Sequence, residues 1–122
     1  MIHRVAGQSP AFAGAVAAAG LVFTSGLVSP AVLTGSPRTL AEQAADVFEV
    51  LGHTLAEHGC LLGDVVALTA FLAPDAKPTA WNTAFATAFP VDPPARTTVT
   101  CGFVVAGVSV EISAIAARTE TA

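Results

Sequence analysis

The chain has 122 residues, enough for one domain (residues 1–122) with a core of its own and too few for two. Its net charge is −4 and its five basic residues are scattered, which excludes the concentrated positive field that nucleic-acid binding needs. Only 11% of residues are charged while 53% are apolar, a low charge content for a small monomer, so extra surface is expected to be hidden in an oligomer.

In chain order, "IHRVA" reads as a short strand, and "AVAAAGLVFTSG", broken at Gly20 and closed by Ser25-Gly26, reads as a hairpin. This apolar run superficially matches a signal-peptide core. It continues without a small-residue cleavage context, so secretion is not expected. "VSPAVLTGSP" carries two prolines and a glycine and is expected to be loop with a short extended piece. A helix follows. Thr39 and Glu42 have capping-box spacing, and Leu40, Ala44, Val47, Phe48, Leu51 and Leu55 fall on one stripe. Glu42, Gln43, Asp46, Glu49 and Glu57 are placed on the opposite side, and Gly59 supplies a left-handed stop.

"DVVALTAFLA" (64–73) reads as a strand apolar on both sides, with Val66, Leu68 and Ala70 against Val65, Ala67 and Phe71. Pro74 and Pro78 bracket a loop. "TAWNTAFATAF" reads as a second helix with Trp81, Phe85 and Phe89 four apart, ended by Pro90, Pro93 and Pro94. Two strands remain, roughly 96–104 and 108–117, expected as a pair joined near Ala106-Gly107. The order predicts an α+β architecture with two helices on one face of a sheet. In the last strand Val108, Val110, Ile112 and Ala114 share one side, and Ser109, Glu111, Ser113 and Ile115 the other. Two helices cover only one face, so the second apolar face is expected to pack against copies of the chain.

No apolar run reaches the roughly 20 residues a bilayer needs, so no membrane partner is expected and the cytoplasm is the expected location. Cys60 and Cys101 follow no metal or redox spacing and are expected to be buried free thiols, Cys101 on the face opposite Arg96. His53, on the polar side of the first helix, and His58, at its exit, are expected to be solvated. Trp81 is expected in the core. From residue 94 to 110 the only charged residue is Arg96. A guanidinium is costly to bury alone, so Arg96 either receives an anionic ligand or pairs internally with an acid such as Glu111.

Several pieces, in order, carry a resemblance: "VFTSG" (22–26), "GCLLGDVVALTAFL" (59–72), Asn82 in "AWNTAFATAFP", "PPARTTV" (93–99), Gly107 and "VEISAIA" (110–116). Over nearly its whole length the chain resembles the Rid (YjgF/YER057c/UK114) family. The resemblance implies a chorismate-mutase-like fold, a mixed six-stranded sheet with two helices on one face, assembled as a homotrimer with sites in the clefts between subunits. It also implies hydrolysis of 2-imino and enamine acids, such as 2-aminoacrylate, to a 2-keto acid and ammonia, with no metal or organic cofactor.

Carried over residue by residue, Arg96 would hold the substrate carboxylate, and Asn82 and Ser25 would help bind the substrate. Phe12 stands where the family often has a tyrosine; it would wall an apolar substrate pocket without donating a hydrogen bond, and the chain has no tyrosine at all. Ser113 stands where a second glutamate is often thought to hold the attacking water, and Thr98 where a cysteine or valine is frequent. The Ser113 and Thr98 hydroxyls would hold the water, but a hydroxyl is a far weaker base than a carboxylate. Two alternatives stay open: a trimer that binds carboxylates without turnover, and a member of a specialised biosynthetic pathway with an altered pocket.

Overall fold

The computed structural model describes residues 1–118. Gly20 breaks the first apolar run as its pattern predicts. Strand β2 (Ala13–Ala18) turns back through Ala19 and Gly20 into β3 (Leu21–Thr24). Both turn residues have positive φ, 54° and 78°, the left-handed geometry whose twist matches a two-residue hairpin. Strand β1 (His3–Ala6) pairs antiparallel on the outer side of β2.

The segment expected to be loop contains a single helical turn, α1 (Pro30–Leu33). Proline stands at its start, where a missing N–H costs nothing and the ring presets φ. Before it, the buried Ser29 donates its hydroxyl to Asp46 Oδ2 at 2.6 Å. Arg38 holds the same carboxylate with two bonds, Nε to Oδ2 at 3.1 Å and Nη2 to Oδ1 at 2.9 Å. Burial alone would push the Asp46 carboxyl up, but Ser29 and Arg38 outweigh it and hold the group below its ordinary value.

Helix α2 (Leu40–Ala56) starts at a closed capping box: Thr39 Oγ1 accepts from the Glu42 amide, and Glu42 Oε1 accepts from the Thr39 amide. Its stripe of Ala44, Val47, Phe48, Leu51 and Leu55 is buried, and Gly59, at φ 73°, stops the chain beyond it. Gln43, assigned to the polar side, is instead fully buried. Its Nε2 donates to the carbonyls of Arg38 and Gly107, both at 3.0 Å, and its Oε1 accepts from the Ser109 amide at 2.8 Å. The side chain stands beside Ala44 on the core edge and satisfies backbone groups that have no sheet partner.

A 3-10 turn (Leu62–Asp64) leads into β4 (Val65–Leu72), then α3 (Pro78–Ala88), β5 (Ala95–Thr100) and β6 (Val110–Ala117). The six strands lie in the order β1-β2-β3-β6-β4-β5. The last two strands are therefore not a pair. β6 inserts between β3 and β4, while α3 carries the chain from β4 to a parallel β5 at the sheet's edge. The pairing of β4 with β6 shifts between Val65 and Ala67. That bulge changes the side-chain phase, so Val65 is buried with Leu68, Ala70 and Leu72, and Val66 is exposed.

Helices α2 and α3 cover one face. Trp81 of α3 stacks on Phe48 of α2 with centroids 5.4 Å apart, and Phe89 meets Phe48 edge-on at 5.7 Å. Along β6, Val110, Ile112, Ala114 and Ala116 are buried under the helices, and Glu111, Ser113, Ile115 and Ala117 lie half-buried on the other face. Phe23 and Val99 remain 42% exposed. Cys60 is a buried thiol, but Cys101 is half-buried, because an edge strand leaves it outside the helix-covered core. His53 is exposed as expected; His58 is half-buried, and its Nε2 is enclosed without a hydrogen-bond partner among the described residues. No helix among the described residues is long and apolar enough to cross a membrane.

Candidate functional site

Registered partners in a sheet share a face, and Arg96 is the registered partner of Leu68. Leu68 points under the helices, so the side chains of Arg96, Thr98 and Thr100 leave the edge strand on the helix side. There Arg96 meets α3. Its Nη1 donates to Asn82 Oδ1 at 3.1 Å, and its Cζ lies 4.8 Å from the centre of the Phe85 ring. Both contacts are with neutral groups. Among the described residues no carboxylate lies within ion-pair distance of Arg96, and the ion pairs present use Arg38 instead. The internal Arg96–Glu111 pairing is not made. An open cleft of about 610 Å³ surrounds the guanidinium, lined by Leu72, Trp81, Asn82, Thr98 and Thr100 among others.

A second cluster sits on the other sheet face. Glu111 is the partner of Phe71, and Ser113 that of Thr69. Glu111, Phe71, Cys101, Phe103, Val28 and Val108 line a cavity of about 200 Å³. No hydrogen bond or ion pair to the Glu111 carboxylate is present among the described residues. Its removal from water pushes the carboxyl above its ordinary value. In the sequence Glu111 is one of two alternatives for the partner of Arg96, and Ser113 is the residue expected to hold water. The available signal for Glu111 was its position as a lone acid on the uncovered side of a strand.

The expected site residues thus fall into separate groups. Arg96, Asn82 and Thr98 come together on the helix side of the edge strand; Ser113 is on the opposite face with Glu111. Ser25, at the end of β3, donates its hydroxyl to the Ala13 carbonyl at 2.6 Å, which ties it to β2. Phe12 is 48% exposed in the turn before β2 and lines neither cavity. An apolar groove of about 530 Å³ runs between α2 and α3 along Ala41, Ala45, Ala80 and Ala84. Glu49 is its one ionisable side chain, so it offers little for catalysis.

The sequence profile of the endoribonuclease L-PSP family matches residues 3–118. The chain belongs to that family. Its structure aligns with a YjgF-family protein from Neisseria meningitidis at a TM-score of 0.87 and 28% identity, covering 99% of this chain and 98% of the other. RidA from the Antarctic bacterium Psychrobacter aligns at 0.79 with 25% identity, over 87% of each chain. A YjgF/YER057c/UK114 protein from Mycobacterium tuberculosis, at 24% identity and a TM-score of 0.84 over 96% of this chain and 99% of that one, shares the fold. No curated protein matches the chain. Membership in the YjgF/L-PSP family agrees with the mixed six-stranded sheet.

Proposed function

We propose that this protein hydrolyses 2-imino acids, and the enamines that tautomerise to them, to 2-keto acids and ammonia, at a site completed by a second copy of the chain in a homotrimer. The observation that carries the reading is the unneutralised Arg96 guanidinium beside an open cleft. A 2-imino acid has one fixed anionic handle, its carboxylate, and a guanidinium fork matches it with two parallel charge-assisted bonds. RidA of Psychrobacter is a structural neighbour, and its kinship supports the same chemistry.

A single protomer holds Arg96 and the Glu111–Ser113 face on opposite sides of its sheet. Apposed copies would bring the cation of one to the acid of the next. The uncovered apolar face and the low charge content support such an assembly. In this reading Arg96 orients the imine, with Asn82 and Thr98 beside it. Water adds to the imine carbon to give a carbinolamine. Glu111, ionised, takes a proton from that water and returns it to the departing nitrogen, while the Ser113 hydroxyl helps to hold the water. The carbinolamine hydroxyl proton then passes through the same carboxylate to the amine, the C–N bond breaks, ammonia leaves and the carbonyl forms. The imine is already reactive in water, so placement supplies most of what is needed. No metal or organic cofactor enters these steps.

The family's description names a ribonuclease. With a net charge of −4 and five scattered basic residues, one of them engaged by Asp46 and Glu42, this chain is poorly suited to a polyanion. Binding without turnover is the second reading, favoured by the serine at position 113 and the absence of tyrosine. The deciding experiment generates an imine in situ with an amino-acid oxidase and follows keto-acid release. Acceleration over the spontaneous rate, lost in Arg96→Ala, supports the hydrolase. Carboxylate binding without acceleration supports the second reading, and no binding at all removes both.

A further inference from the structure

Holding a cation ready for a ligand poses a physical problem. A guanidinium on an exposed edge strand swings among many rotamers, and fixing it at the moment of binding weakens affinity. An acidic neighbour would fix it but would also discharge it. Two side chains of α3 fix Arg96 without doing so. Asn82 and Phe85 stand three residues apart, on one helical face. Asn82 takes one hydrogen bond from Nη1, and the Phe85 ring lies 4.8 Å beneath Cζ. The amide's orientation follows from chemistry: arginine has only donors, so the oxygen must face it. Phe85 is itself held by its neighbours, 6.1 Å from Trp81 and 5.0 Å from Phe89 between ring centres. The ring presents its electron-rich face to the cation.

We propose that Asn82 and Phe85 form a neutral cradle that pre-orients the Arg96 guanidinium for a carboxylate while leaving its charge available, and that Phe85 is a positioning residue acting through Arg96. The cradle rests on the proposed carboxylate site and names what sets its strength. It makes neutrality at position 82 a requirement: the isosteric acid would supply the internal partner that the fold withholds.

The test is calorimetric titration of 2-oxobutanoate into the intact oligomer, with thermal unfolding of each variant as a stability control. Phe85→Leu keeps apolar volume but removes the ring face and weakens binding about three- to tenfold. Phe85→Tyr keeps the face and binds within about twofold of wild type. Asn82→Asp, on an exposed position, weakens binding more than tenfold, while Asn82→Ala, which only removes the hydrogen bond, costs less. Leu and Tyr variants that bind alike, or an Asn82→Asp variant that binds like wild type, would overturn the cradle and leave the carboxylate site standing. Failure of the wild type to bind 2-oxobutanoate would overturn the site and the cradle together.

Discussion

The Glu111 carboxylate occupies the space that a β-carbon on Gly26 would need. The φ of Gly26 is not in the left-handed region, so what a side chain there would meet is the Glu111 side chain rather than backbone strain. Gly26→Ala displaces the flexible Glu111 side chain, at a stability cost of about 1 kcal/mol. Arg96 is untouched on the other face. Imine turnover is expected to fall at least about tenfold, as expected for displacing an acid–base group, with 2-oxobutanoate affinity nearly kept. Steady-state rates and calorimetry on the same preparation check this.

Glu111 also gives the protein a pH signature. Its folded-state value lies above the ordinary carboxylate value because it is withdrawn from water. Between those two values the unfolded chain has released a proton that the folded chain keeps, so stability falls as pH rises through that window. Glu111→Gln abolishes this decline. Asp46 behaves oppositely, because its folded value is lowered. Its contribution is complete above the ordinary value and is lost as pH falls through the folded one. Urea midpoints measured from about pH 3 to about pH 7 separate the two limbs, with Asp46→Asn flattening only the acidic one.

Gln43 ties α2 to the turn before β6. Gln43→Leu leaves the Ser109 amide and the Gly107 carbonyl without their partner, and a stability loss of about 2–4 kcal/mol is expected. Denaturant unfolding measures it. A loss under about 0.5 kcal/mol would mean that water replaces the amide.

What was legible in the sequence was local. The capping box at Thr39 and Glu42, the break at Gly20, and the alternation along β6 each follow from residues within a few positions. Arg96 stood out because no other charge occurs between residues 94 and 110. Non-local pairing was harder to read. Nothing in β5 or β6 announces that β4 will lie between them, since the loop at Ala106-Gly107 suits a hairpin equally well. The bulge at Val66 hides in a run that is apolar at every phase. Gln43 has the composition of a surface residue, and only the carbonyls brought to it by the fold make it a core one. The division of Arg96 and Ser113 between two sheet faces likewise depends on strand order, which periodicity does not encode.

The central claim is that one copy supplies the cation and another the acid. Arg96→Ala and Glu111→Gln proteins should each be inactive toward an oxidase-generated imine. Co-assembled in equal amounts from unfolded chains, they form some clefts with an intact Arg96 from one protomer and an intact Glu111 from the next. Random mixing in a trimer leaves about a quarter of the clefts whole, so about a quarter of the wild-type rate should return. A mixed assembly as inactive as its two parents would contradict the account.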